Sequence, residues 1–160
     1  KIAKIQNQLM YEKTINYNSF HKFNARIDNT KKILNFFLSN INKKEIIAYG
    51  ASTKGNIVLN HCEISNKQIQ YICDANPYKF NRFTPGSNLK IISKKEMRRK
   101  NPKYLLVLIW SFRKEVIKQE ISFLKKGGKL IFHLPIFHIV DKKNYKKFLK
   151  SDFESLSYDL

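Results

Sequence analysis

Cysteine is nearly absent from these 160 residues: Cys62 and Cys73 are the only two, and they fall in a predicted helix and a predicted strand. Their separation lacks the paired spacing of a zinc site, so they read as core thiols in a reducing compartment. No apolar run approaches the ~20 residues of a membrane-spanning helix, and no charged start followed by an apolar block marks a secretory signal. A cytoplasmic protein that does not enter a membrane is the expectation. Acidic residues are also few, 12 against 31 Lys and Arg, which leaves a formal charge of +19. Such an excess usually points to nucleic acid or an anionic surface. Arginine is scarce too, however, and only Arg26, Arg82, Arg98, Arg99 and Arg113 offer the forked guanidinium suited to phosphates and bases. The lysines are dispersed among Asn and Ile over the whole chain, a compositional bias rather than a patch. A nucleic-acid partner is therefore not expected, although the charge draws anionic ligands over a Debye length of ~8–10 Å.

Catalytic signatures are missing as well. There is no Gly-x-Ser-x-Gly elbow, no His-Glu-x-x-His and no metal-ligand spacing among His21, His61, His133 and His138. His21 reads as a surface residue on a helix, and His61 and His133 as structural histidines. No catalytic or metal-binding residue is assigned to the chain.

What is present centres on Ile46-Ile47-Ala48-Tyr49-Gly50-Ala51-Ser52-Thr53-Lys54-Gly55-Asn56. A short β-rich run leads into a Gly-bounded loop, and helical spacing takes over at Ile57, Val58, Leu59 and Cys62. A strand's carboxyl end thus meets a helix's amino end, where backbone N–H groups lack internal partners and the macrodipole places roughly half a positive charge. Phosphate or carboxylate is the natural guest of such a junction. Ser52 and Thr53 add hydroxyls and Lys54 a full charge, while Gly50 permits the turn and Gly55 lets the helix begin close to the sheet. The same Gly and Ser would equally serve turn geometry alone.

Length predicts one domain, residues 1–160, in three stretches. Residues 1–44 form a helical lead-in, with Phe20, Phe23, Ile27, Leu34, Leu38 and Ile41 on one face of a helix that spans Thr14 to Ile41. Residues 45–136 form the α/β core. Its second strand runs from Gln68 to Asp74, a third is near Leu89 to Ile92, and a Ser93-capped helix extends to about Lys100. Lys103 to Trp110 reads as a central parallel strand. Phe112 to Leu124 reads as an amphipathic helix stopped by Gly127-Gly128, and Lys129 to Leu134 as the last strand. Residues 137–160 read as a polar tail, partly helical. The fold class is thus α/β, a Rossmann-like, mostly parallel sheet with flanking helices, preceded by a long amphipathic helix. Because the chain opens on Lys1 rather than Met with helix that has no partner layer, it is expected to be a piece of something larger.

Asp74 stands about twenty residues beyond the Gly loop, at a strand end from which a dinucleotide-binding fold reaches a ribose hydroxyl. An NAD(P)-binding domain of an oxidoreductase is therefore the alternative reading. The loop is Gly-x-x-x-x-Gly, however, and lacks the middle glycine of that fingerprint; Lys54 also precedes the second glycine, unlike a P-loop. The loop from Asp74 to Gly86 is dense in aromatic and polar groups, so Arg82 is a candidate for a phosphate and Tyr78, Phe80 or Phe83 for stacking on a base or sugar.

Tyr49-Gly50-Ala51-Ser52-Thr53-Lys54-Gly55-Asn56, Asp74-x-Asn76-Pro77, Arg82-Phe83-Thr84-Pro85-Gly86, Trp110 and Gly127-Gly128-Lys129, in that order, resemble the carboxyl-terminal domain of sugar C-methyltransferases. The resemblance covers roughly Ile15 to Pro135. It implies a three-part protein: a zinc module, a central S-adenosylmethionine-binding domain, and a Rossmann-like domain that helps to hold a nucleotide-linked keto-deoxysugar. Only the third part matches. A base in the central domain would remove the proton beside the ketone, and the enolate would take the methyl group. S-adenosylmethionine is thus implied for the complete enzyme and bound outside this chain, on the same or another polypeptide, with no cofactor expected here. The residues carried over as binding a nucleoside-diphosphate sugar are Gly50, Ala51, Ser52, Thr53, Lys54, Gly55, Asn56, Asp74, Asn76, Arg82, Thr84 and Trp110. The family often has Asn after the Trp and Arg before the Asn-Pro, where this chain has Ser111 and Ala75.

Overall fold

In the computed structural model, which describes residues 2–13 and 17–151, strand β1 (Ile46–Tyr49) is buried along its whole length. It lies between β2 (Tyr71–Asp74) and β4 (Tyr104–Val107), parallel to both. β3 (Lys90–Ser93) continues the sheet beyond β2, and β5 (Lys129–Phe132) continues it beyond β4, again in parallel. β6 (His138–Val140) closes that edge antiparallel to β5. The order is β3-β2-β1-β4-β5-β6, so chain progression reverses between β1 and β4. In open α/β sheets the crevice at such a reversal, beyond the strands' carboxyl ends, is where ligands bind.

Alternation along the strands makes two cores. Ile46, Ala48, Ile72, Leu106 and Ile131 face one side, where they pack with Leu34 and Leu38 of α2 (Tyr17–Ser39) and Leu59 of α3 (Thr53–His61). Ile47, Tyr49, Cys73, Leu105 and Val107 face the other, against Met97 of α4 (Lys94–Lys100), Val116 and Ile117 of α5 (Arg113–Gln119) and Leu124 of α6 (Ile121–Lys125). Apolar residues on both faces are what a parallel sheet covered by helices on each side requires.

The α/β, mostly parallel architecture expected from the sequence is present, and several boundaries differ. α1 (Ile2–Lys13) is helical as expected, and α2 ends at Ser39; the expected start at Thr14 lies outside the described residues. Only the second half of the apolar face of α2 is covered. Leu34 and Leu38 are buried, whereas Phe20 and Phe23 remain 60% and 52% exposed. β2 and β4 are shorter than their apolar runs. Ile69 is taken into a turn by the Ser65 carbonyl, and Trp110–Phe112 coils into a 3-10 turn. The expected helix from Phe112 to Leu124 is broken at Glu120, where ψ is 14°.

The stretch expected to be a polar, partly helical tail holds β6 and α7 (Tyr145–Lys150), and Tyr145, Phe148 and Leu149 pack on the second core. Residues 152–160 of the expected tail lie outside the described residues. No described helix is long and apolar enough to cross a membrane.

Candidate functional site

The turn out of β1 is held by the neighbouring strand. The Gly50 amide donates to the Cys73 carbonyl at 2.8 Å, and its φ of +92° is one that glycine adopts without strain. Ser52 is extended, with φ −96° and ψ 162°, and its hydroxyl oxygen accepts from the Gly55 amide at 3.0 Å, an N-cap that starts α3. Gly55 is needed for the close approach expected of it, because a β-carbon there would stand 2.9 Å from Cβ of Leu108. The cap leaves the amides of Thr53 and Lys54 without hydrogen-bond partners among the described residues, as at the first turn of any helix.

The facing wall comes from the end of β4. After Leu108, whose amide still donates to the Tyr49 carbonyl, the chain turns through Ile109 and the 3-10 turn Trp110–Phe112. Between the two loops lies an open cleft of about 290 Å³, lined by Ser52, Thr53 and Lys54 on one side and by residues Leu108 to Phe112 on the other. It sits at the reversal between β1 and β4. Lys54 is exposed, and no described side chain is paired with its ammonium. The cleft therefore combines two free amides at a positive helix end, one free cation, and the rings of Trp110 and Phe112.

The other candidate residues fall outside that lining. Gly50, Ala51, Gly55 and Asn56 form the back of the loop. Asp74, expected to reach a ligand, instead turns inward: its Oδ2 accepts from the Ala51 amide at 2.8 Å, and its Oδ1 from the Asn76 amide at 2.8 Å. Lys79 reinforces this clamp, with Nζ 3.4 Å from Asp74 Oδ2 and donating to the Ala51 carbonyl at 2.9 Å. Asn76 caps a 3-10 turn by accepting from the Tyr78 amide. Thr84 is buried at 3% exposure, with Oγ1 2.7 Å from Ser87 Oγ and accepting from the Leu89 amide, so its hydroxyl is spent on the turn into β3. Arg82 is exposed on the same turn and does not line the cleft.

Two groups of residues were not singled out from the sequence. Ile109, Ser111 and Phe112 line the cleft beside Trp110, and the signal was Trp110 itself, whose chain neighbours follow the carboxyl end of the same strand. Glu120, at 1% exposure, receives Arg98 and the Tyr49 hydroxyl, the latter at 3.1 Å, with Lys94 Nζ 3.8 Å away. Its spacing from Ile117 and Leu124 already placed it on the inward face of its helix. Burial, and then the negative charge of Glu120, push the Tyr49 phenol upward, so it remains a hydrogen-bond donor. This brace holds the end of β1 from beneath. Burial also pushes the thiols up, Cys62 to about 11 and Cys73 to about 12, as inert core cysteines require. Among the described residues no group of His, Cys, Asp and Glu is placed to hold a metal ion.

The family of C-methyltransferase C-terminal domains matches residues 1–135. Over 92 residues the chain is 34% identical to the C-methyltransferase NovU of Streptomyces niveus. That alignment takes in 58% of this chain and 22% of that protein, so the chain spans well under half the length of the curated relative it matches.

Proposed function

The chain belongs to the family of C-methyltransferase C-terminal domains, and from that premise we propose that it is the nucleotide-sugar-binding domain of an S-adenosylmethionine-dependent sugar C-methyltransferase of the cytoplasm. The observation that carries this reading is the cleft at the sheet's reversal. A diphosphate would accept from the Thr53 and Lys54 amides and pair with the Lys54 ammonium, where the α3 dipole favours negative charge. Ser52, whose oxygen already accepts from Gly55, keeps its proton to donate. Trp110 and the 57% exposed Phe112 offer ring faces to the sugar or base.

Apart from Lys54, the side chains lining the cleft are hydroxylated or apolar, which suits binding better than proton abstraction. The base and the methyl donor are accordingly assigned to a separate domain, on the same or another polypeptide, and that donor supplies the electrophilic methyl group. The inward turn of Asp74 works against the nicotinamide alternative, because the carboxylate that would take ribose hydroxyls is engaged by Ala51 and Asn76.

Calorimetric titration with a nucleoside-diphosphate deoxysugar tests the proposal, first on this chain and then with the remaining domains restored. Lys54→Ala is expected to weaken binding about tenfold, the loss of one charge-assisted contact. Unchanged affinity in that variant, or no binding in the complete protein, would refute the reading.

A further inference from the structure

Asp74 holds the turn after β1 with both of its oxygens, Oδ2 accepting from the Ala51 amide and Oδ1 from the Asn76 amide, each at 2.8 Å. An asparagine has a single acceptor oxygen, so a carboxylate is the side chain that satisfies both amides. The same carboxylate brings a negative charge to the back of a turn whose front presents the free Thr53 and Lys54 amides. Two residues of chain span at most ~7 Å, so the Asp74 oxygen, 2.8 Å behind the Ala51 amide, stands within a Debye length, ~10 Å at ~0.1 M salt, of the Thr53 amide. At that range a unit charge opposes an incoming anion.

Lys79 answers that charge. It ends the 3-10 turn Pro77–Lys79, which Asn76 caps, and its Nζ lies 3.4 Å from Asp74 Oδ2 while donating to the Ala51 carbonyl at 2.9 Å. Carboxylate and ammonium thus grip the two sides of one residue, the Ala51 N–H on Asp74 and the Ala51 C=O on Lys79. The two side chains are 12% and 39% exposed, partly withdrawn from the water that would screen them. Among the described residues no other cation pairs with Asp74, and Lys54 is left to the cleft. Without Lys79 the charges of Asp74 and Lys54 would cancel, and only the amino end of α3, roughly half a positive charge, would remain for an anion.

Resting on the reading of the cleft as a diphosphate site, we infer that Lys79 sets the affinity of that site for anions. It is a positioning residue, acting through Asp74 and the Ala51 peptide without touching the ligand.

The test is an NMR titration of the chain with inorganic pyrophosphate, followed at the Thr53 and Lys54 amides, which should shift saturably in the wild type. Lys79→Met should weaken binding about tenfold at low salt, the effect of unmasking one charge at this distance, and the deficit should shrink to about threefold or less at ~0.5 M salt. Adding Asp74→Asn to Lys79→Met should bring affinity back to within about threefold of the wild type, because the unmasked charge is gone. A clamp with no electrostatic role predicts the opposite, since the double variant gives up a further hydrogen bond of the turn. Lys79→Arg, which keeps the charge, should recover most of the loss. Unresponsive Thr53 and Lys54 amides in the wild type, undiminished binding in Lys79→Met, or a double variant that binds no better than Lys79→Met would overturn the inference. Pyrophosphate binding with this charge pattern, in a protein that takes no nucleotide sugar, would sink the wider reading and leave Lys79 its role. Nucleotide-sugar binding that is indifferent to Lys79→Met would do the reverse.

Discussion

A β-carbon built on Gly50 would stand 2.6 Å from Cγ2 of Ile109, so the loop after β1 and the loop after β4 meet through space that only glycine leaves open. These loops are the two walls of the cleft. Their contact sets its width, and the same glycine holds a positive φ that lets the chain turn toward α3.

Gly50→Ala should therefore lower stability by about 2–4 kcal/mol in urea unfolding, combining left-handed backbone strain with overpacking. Adding Ile109→Ala should relieve the overpacking and leave the backbone part. A double-mutant cycle reads this as a coupling beyond ~0.5 kcal/mol, and strictly additive losses would show that the two loops do not press on each other.

Asp74 clamps its own loop through the Ala51 and Asn76 amides, and conservative and drastic changes separate that role from ligand contact. Asp74→Ala leaves the Ala51 and Asn76 amides without their acceptor and should cost about 2 kcal/mol. Asp74→Asn keeps an acceptor oxygen for Ala51 and should hold nucleotide-sugar affinity within about threefold. A large loss of affinity in a stable Asp74→Asn protein would return Asp74 to direct ligand contact.

Removal of the buried carboxylate of Glu120 should destabilise the end of β1. Arg98 and Lys94 are partly exposed and regain water, so Glu120→Gln is expected to cost about 1–3 kcal/mol rather than the larger loss of a fully enclosed pair. Tyr49→Phe should cost less, about 1 kcal/mol, and the wild-type contribution should persist in 1 M salt because the carboxylate is shielded from counter-ions. Chemical denaturation at low and high salt provides the measurement.

Acid should weaken the fold through its histidines. With His133 lowered from 6.5 to about 4 in the folded chain, the unfolded chain takes up the proton first as pH falls. The stability that neutral His133 contributes is complete above pH ~6.5 and is lost between there and pH ~4, by up to about 3 kcal/mol. His138, also lowered by burial, acts in the same direction. Denaturation from pH 7.5 to 4.5 should show a shallower fall in His133→Phe than in the wild type, and parallel curves would contradict the assignment.

Much of this protein was legible in local pattern. Ser93 caps the helix its position predicted, and Gly55 brings α3 against the sheet as its place after the loop implied. The β1, α3, β2 unit follows from a change of period within a few residues, and the Lys103 to Trp110 run contains its central strand. Caps, turns and amphipathic spacing act over three or four residues, so sequence alone determines them. α7 falls in the tail read as partly helical, whereas β6 escaped because three residues are too few for a period to stand out.

Tertiary structure decided the rest. Asp74 finds Ala51 across 23 positions, Arg98 finds Glu120 across 22, and Gly50 meets Ile109 only because β4 is inserted beside β1. Whether Asp74 faces a ligand or its own loop, and whether His133 meets a donor, depends on which strands become neighbours. That choice is made by burying two apolar faces at once, a property of the whole sheet that no short stretch of residues carries.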